Sequence, residues 1–178
     1  MRSPIGERKV MQKFILEEGL TAYRCSESQG IYISQISYWI WLKQQPERLE
    51  HLPLMEFANS VVEDEAVARL CPETDTIMMR CKVGYDFEFY IDRSRTGGIW
   101  LDAGEWEALK VRNFHDELHL IFTEPWQTKV LEQQKRQMSQ KMLNEKLEPE
   151  LIEQIENLKK KLKNHPHRAY AVAYIEQE

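Results

Sequence analysis

The chain has 178 residues, 42% hydrophobic and 30% charged, the composition of a globular protein rather than a disordered or fibrous one. No apolar run approaches the roughly 20 residues that cross a bilayer. The opening MRSPIGERK lacks the apolar stretch of a secretory signal, so the expectation is a cytoplasmic protein without a membrane partner. A net charge of −5 works against general affinity for nucleic-acid phosphates. Three cysteines, Cys25, Cys71 and Cys81, are too few and too odd in number for a disulfide framework. They are also too few for two four-cysteine zinc sites.

Taken in order, the chain repeats itself. Pro4 and Pro72, Met11 and Met79, Gly30 and Gly98 each stand 68 residues apart. In the first copy a Pro-containing turn opens the unit, and runs rich in β-branched and aromatic residues predict strands over Val10 to Glu17 and Leu20 to Arg24. In the second copy the corresponding strands are Ile77 to Val83 and Phe87 to Asp92. Glu18-Gly19 and Gly84-Tyr85-Asp86 supply the turns between them.

Each copy then shows a glycine, an aliphatic-aromatic-aliphatic triplet and a helix start. Ser34 is the expected N-cap in the first copy and Asp102 in the second, with Glu105 completing a capping box. The helices are expected to bury Ile36, Trp39 and Ile40 in one case and Trp106 and Leu109 in the other. Between the copies, His51 to Leu54 reads as extended and Glu63 to Leu70 as a short helix.

Beyond Asn113 the pattern is helical. Phe114, Leu118 and Ile121 share one face, and Thr123 with Pro125 in the first turn predicts a long polar helix to about Lys146. Glu148-Pro149-Glu150 restarts it. Leu151, Ile155, Leu158 and Leu162 follow 4, 3, 4 spacing, a coiled-coil-like seam. Pro166 ends that helix and Ala169 to Ile175 forms a last short one, so an antiparallel helical hairpin is expected.

The run Gly97-Gly98-Ile99-Trp100-Leu101-Asp102-Ala103-Gly104-Glu105-Trp106-Glu107-Ala108-Leu109 closely resembles the transcription-factor-IIB-type zinc-ribbon family. There, a Cys-Pro-x-Cys knuckle precedes two strands and a Cys-x-x-Cys-Gly-Gly knuckle precedes a helix. The resemblance covers residues 71–110, and residues 3–42 look like a weaker copy. It implies an α+β fold of two small zinc-ribbon-like β-hairpin-plus-helix units followed by the helical hairpin. The parts are 1–45, a connector at 46–68, a second unit at 69–112, and the extension 113–178.

The family's ligand positions are mostly lost. Cys71 is kept with Thr74 in place of the second cysteine, and Cys25 is kept with Ser28. Ser3-Pro4-Ile5-Gly6 has no ligand. The last knuckle, within Asp92 to Gly97, has no cysteine and reads one residue short. Hydroxyls are poor substitutes for thiolates toward zinc, so neither a bound metal nor another cofactor is expected. A zinc-free unit of about 40 residues needs burial from elsewhere. The clustered Trp39, Trp41, Trp100 and Trp106 are the expected source, with the copies packed on each other or on the tail.

Other motifs carry weaker chemistry. His115 and His119 have the i, i+4 spacing of a metal-gripping pair, but Glu117 is one place late for a zincin and no third ligand follows. Lys159-Lys160-Lys161 and Lys163 form a basic run, but Glu148 to Glu156 open the same helix, as the helix dipole favours, and Glu156 can pair with Lys160. His165 to Arg168 reads as a helix terminus. Lys82, Arg93 and Arg95 near the last knuckle either bind an anion or fill vacated metal space.

The favoured function is a non-catalytic protein-binding or adaptor module. Its partner is an unidentified protein or a second copy, held by Leu151, Ile155, Leu158 and Leu162. A nucleic-acid-binding or transcription-associated protein is the alternative. A metal- or thiol-dependent enzyme is a third and least favoured reading.

Overall fold

The computed structural model describes residues 1–46, 50–52 and 67–177, in two compact units, Met1–Leu131 and Glu132–Glu178. The fold is α+β: an antiparallel six-stranded sheet and six α-helices among the described residues. The strands are β1 (Gln12–Glu17), β2 (Leu20–Arg24), β3 (Ile31–Ile33), β4 (Met79–Gly84), β5 (Phe87–Arg93) and β6 (Ile99–Leu101). The helices are α1 (Gln35–Leu42), α2 (Glu105–Val111), α3 (Leu118–Ile121), α4 (Glu124–Lys146), α5 (Pro149–Leu162) and α6 (Arg168–Ile175).

Sheet order is β1-β2-β3-β6-β5-β4, so each copy contributes a three-stranded half and the halves join through their third strands. The β3–β6 pairing sets Ile31 against Leu101, Tyr32 against Trp100 and Ile33 against Ile99. Tyr32 and Trp100 are equivalent residues of the repeat, so the join lies about a local two-fold. Other details repeat as well. Both hairpins shift register near the turn, between Ile15 and Glu17 and between Lys82 and Gly84. Isolated bridges Arg2–Val10 and Leu70–Ile77 close the first knuckle of each copy.

The offset is not constant. Met11 N–H donates to the Met1 carbonyl at 3.1 Å, and its counterpart is Met78, donating to Arg69 at 2.9 Å. Met78 is buried beside Met11, whereas Met79, the partner expected from the sequence, is exposed. The last knuckle is indeed shorter. Cys25 N–H closes on the Gly30 carbonyl, but Ser94 N–H closes on Gly98.

Alternation along the central strands separates two cores. Ile31, Ile33, Ile99 and Leu101 face a large cluster with Trp41, Trp106, Leu109, Phe114, Leu118, Ile121, Trp126 and Val130. Tyr32 and Trp100 point the other way, into a smaller cluster with Met11, Cys25, Cys71 and Met78. Residues 114–131, read from the sequence as part of the helical extension, thus belong to the first unit. Trp126 Nε1 donates to the Val83 carbonyl at 2.8 Å and anchors the start of α4.

Several local expectations need correction. α1 buries Tyr38 and Trp41, while Ile36, Trp39 and Ile40 are exposed at 72%, 39% and 52%. The helix sits rotated from its expected face: Tyr38 and Trp41 enter the large core, while Trp39 lies at its edge with its ring centroid 4.8 Å from that of His119. Ser34 caps α1 as expected, accepting from Ser37 N–H at 3.2 Å. Asp102 does not cap α2. The cap position is Gly104 at φ 85°, and the Asp102 carboxylate is taken by other partners. Half of the capping box survives, with Asp102 N–H donating to Glu105 Oε2 at 2.7 Å. Thr123 immediately precedes α4 and its carbonyl accepts from Gln127 N–H at 3.0 Å, while its hydroxyl donates back to the Leu120 carbonyl at 2.6 Å.

In the connector, residues 53–66 lie outside the described residues, including much of the extended stretch and short helix expected there. Residues 67–69 are not helical and Leu70 forms the bridge to Ile77. His51 stacks on Phe114 with centroids 3.8 Å apart and bonds Glu117 at 2.9 Å.

In the second unit, α5 begins with Glu148 at the cap and Pro149 in the first turn, as the sequence predicts. No residue of α5 or α6 is buried. No helix among the described residues is long and apolar enough to cross a membrane.

The two central rings depend on two glycines. A Cβ on Gly30 would overlap the Trp100 indole, and one on Gly98 would overlap the Tyr32 hydroxyl and ring. Gly98→Ala and Gly30→Ala should each destabilise the first unit by about 3 kcal/mol through overpacking. Denaturant melts followed by tryptophan fluorescence will show this, because all five tryptophans lie in that unit. A wild-type midpoint for both variants would mean the rings are not locked against the opposite glycines.

Candidate functional site

In the second copy, Cys71 and Ser94 are buried and Tyr32 of the first copy lies between them. The Tyr32 hydroxyl is 3.7 Å from Cys71 Sγ and 3.4 Å from Ser94 Oγ. Ser94 Oγ accepts from Gly98 N–H at 2.9 Å and meets Thr96 Oγ1 at 2.9 Å, and Thr96 donates to Glu73 at 2.9 Å. Thr74 is exposed and bonded to Thr76 at 2.9 Å. The positions that would ligate zinc are therefore linked in a hydroxyl network with a phenol at its centre.

The first copy is closed in the same way. Cys25 is buried, and Ser28 and Ser3 reach its thiol with their hydroxyls. Ser28 Oγ also accepts from Gly30 N–H at 3.3 Å, and Ser3 Oγ from Ile5 N–H at 3.2 Å. Trp100 of the second copy packs over Gly30 in the cluster that holds Cys25 and Met11. Each repeat thus inserts its triplet aromatic toward the other's knuckle.

Both knuckle thiols keep an anion-favouring environment. Burial pushes each upward. For Cys25 the Ser28 and Ser3 hydroxyls and the Ser28 and Glu27 amides outweigh it, leaving the thiol below its ordinary range. For Cys71 the Thr74 hydroxyl, the Glu73 amide, the Tyr32 hydroxyl and the Thr74 amide do the same. Glu73 N–H approaches Cys71 Sγ at 3.4 Å. Cys81, half-buried in β4, is pushed up by burial and by Asp92.

These donors do not fit zinc. Each knuckle pair offers one thiol and otherwise neutral hydroxyls, against the thiolate and imidazole set of structural sites. Among the described residues, no three His, Cys, Asp or Glu side chains converge on a metal position. Burial supplies part of the closing energy. An aromatic side chain that buries roughly 200 Å² gives about 5 kcal/mol gross at about 25 cal/mol per Å². One ring per copy is therefore less than the roughly 10–16 kcal/mol of a structural zinc, and the shared six-stranded sheet and its large core add to it.

Beside the second knuckle lies a buried ionic cluster that the sequence did not reveal. Arg69 donates to Asp92 at 3.1 Å and to Asp102 at 2.5 Å, and Asp102 also accepts from Trp100 Nε1 at 2.8 Å. Arg69 and Asp92 are each 2% exposed and Glu105 is fully buried. Burial, reinforced by Asp102, holds the Glu105 carboxyl well above the usual range. Burial also raises Asp92 against the opposing pull of Arg69.

The remaining sequence candidates separate. His115 lies in a 3-10 turn, His115–Glu117, and His119 in α3, so they do not share one regular helix face. Burial holds His115 below the usual imidazole range. His119 Nδ1 is 3.4 Å from the Tyr38 hydroxyl. Arg93 does not fill metal space; it stacks over Phe122 at 5.5 Å. Lys82 meets Glu88 at 3.4 Å, and Arg95 is exposed. Glu156 pairs with Lys159 at 2.8 Å rather than with Lys160. His165 Nδ1 accepts from His167 N–H at 3.1 Å in the turn between α5 and α6.

The four seam residues lie together on α5. Leu151 and Leu158 are exposed at 45% and 43%, and Ile155 and Leu162 are half-buried. Ile155, Leu158 and Leu162 line one wall of a groove of about 660 Å³ whose other wall carries Val172 and Ile175 of α6. No family model, curated protein or solved structure matches the chain.

Tyr32→Ala should cost the first unit about 3–5 kcal/mol, the range for deleting a large buried ring. Cys71→Ser should cost about 1 kcal/mol, since it removes only weak thiol contacts. Incubation with a chelator should leave both melts unmoved. A larger loss for Cys71→Ser than for Tyr32→Ala, with chelator sensitivity, would show coordination to be the stabilising term.

Glu105 gives a pH test. Its native pKa is raised, so folding takes up a proton, and its contribution falls as pH rises from the ordinary carboxylate range toward the raised native value. Glu105→Gln keeps an acceptor for Asp102 N–H without that titration. Its melting temperature should therefore decline less than the wild type's between acidic and neutral pH. Parallel pH profiles would contradict the raised value.

Proposed function

We propose that the protein is a non-catalytic protein-binding or adaptor module. Its first unit is a tandem pair of transcription-factor-IIB-type ribbons that have exchanged zinc for reciprocal aromatic packing. The single observation that carries the binding role is the α5 stripe. Leu151, Ile155, Leu158 and Leu162 share one helix face, yet no residue of α5 is buried. Chains rarely hold such a stripe in water without a use for it, and a helix face with anchors at this spacing is a standard way to hold a helical partner.

The first unit supports the non-catalytic reading. The knuckle thiols are engaged with neighbouring hydroxyls and amides, and Asp92 and Asp102 with Arg69. The family resemblance and the basic run Lys159 to Lys163 favour nucleic acid as a second reading. Electrophoretic mobility shifts of DNA and RNA across a salt series test it, with a steep loss of binding as salt rises in its favour.

The docking reading is tested with the full chain carrying Ile155→Glu and Leu158→Glu. Both sites are at least partly exposed, so the variant should keep its helix content and its tryptophan fluorescence melt. Partner capture from the native host, quantified against wild type, should fall by about tenfold or more, since losing two central apolar anchors costs more than about 1.4 kcal/mol. Undiminished capture by a folded variant would remove α5 as the docking face.

A further inference from the structure

The groove between α5 and α6 also specifies the charge of what it binds. Its floor is apolar: Ile155, Leu158 and Leu162 on one side, Val172 and Ile175 on the other. Its rim carries Lys159, Lys160, Lys163 and Arg168, with Glu156 as the carboxylate among the lining residues. Glu156 is engaged by Lys159 at 2.8 Å. Among the described residues, Lys160, Lys163 and Arg168 have no ion-pair partner. The sequence shows the same segregation. From Asn157 to Ile175 there are five Lys or Arg and no Asp or Glu, in a chain of net charge −5.

We infer that the occupant of this groove is an acidic amphipathic helix of a partner protein, with apolar anchors on one stripe and carboxylates flanking it. The inference rests on the docking reading above and adds the partner's chemistry. Apolar anchors replace water over the floor, and carboxylates at the flanks meet the unpaired cations of the rim, which steers association and rejects basic competitors.

A second copy of the chain fits less well. With Leu151 and Leu158 at one core position of the heptad and Ile155 and Leu162 at the other, the flanking positions are Ile152, Gln154, Lys159 and Lys161. Glu150, Glu153 and Glu156 fall outside them. An α5–α5 pair in either direction sets Lys159 and Lys161 against Ile152 or Gln154, never against a carboxylate. A flat anionic membrane would meet the rim but leave a concave apolar floor unfilled, whereas a helix stripe fills it.

The test uses the full chain and two labelled synthetic helices with identical Leu anchors at i, i+3 and i+7. One is flanked by Glu, the other by Lys. Fluorescence anisotropy is read at low and at physiological salt, beside phosphatidylserine vesicle flotation and sedimentation velocity of the chain alone. The Glu-flanked helix should bind at least about tenfold tighter than the Lys-flanked one, with the gap narrowing as salt rises. Lys160→Glu with Lys163→Glu should reverse the preference, and Leu158→Glu should abolish binding of both while helix content is kept.

Equal binding of the two helices, lost on Leu158→Glu, would overturn the acidic-partner inference and leave the docking face standing. Binding that survives Leu158→Glu would overturn both. Tighter association with vesicles than with either helix, or self-association that excludes the helices, would also overturn the inference and name the membrane or a second copy as the occupant.

Discussion

The first unit depends on one reciprocal contact: Tyr32 and Trp100, opposite each other in the β3–β6 pairing, each lean over the glycine that precedes the other's strand. The contact joins two half-sheets of three strands into one sheet of six. It also places a phenol between Cys71 and Ser94 and an indole beside Cys25. Neither half can form this arrangement alone, because each closing ring comes from the other half. The two copies are thereby mutually dependent.

Around that contact the asymmetry of the copies has a physical use. Arg69, Asp92, Asp102 and Glu105 belong to the second copy, where Asp102 holds the Trp100 indole N–H and Arg69 donates to two carboxylates. Charges buried this deeply contribute little net stability. They mark where α2 begins, since Glu105 bonds the Asp102 amide. In the first copy Ser34 caps α1 directly and no such cluster is present among the described residues. The thiols of both knuckles keep amide and hydroxyl hydrogen bonds that lower their pKa, as a metal-binding loop would supply.

The second unit follows a different logic. Its two tyrosines, Tyr170 and Tyr174, are exposed and its apolar stripe is left half open, with the cations gathered at one end. The first unit buries its large apolar side chains in two clusters, while α5 and α6 of the second bury none of theirs. That division of labour, a rigid body and a helical segment with an apolar face, is how the proposed adaptor role is carried.

Local signals in the sequence were sufficient for most elements: the hairpins, Ser34 as a cap, Pro149 at the start of α5 and the halt at Pro166 all depend on neighbours a few residues apart. The repeat was visible too, because Gly-aromatic triplets recur even when ligands do not. What the sequence could not set was anything decided by contacts between the copies. The burying face of α1 turned out to hold Tyr38 and Trp41 rather than Ile36, Trp39 and Ile40, because helix periodicity ranks faces by apolarity and not by what lies opposite. Asp102 looked like a cap until Arg69, 33 residues earlier, claimed its carboxylate. Tyr32 stood in the repeated triplet and Ser94 in the last knuckle, but nothing linked them, since a hydroxyl and a phenol become a closed knuckle only when two distant strands bring them within 3.4 Å. By itself the sequence determined the elements and their repetition, which are short-range. Only the tertiary structure decided how each copy fills the other, because that packing exists solely between segments 68 residues apart.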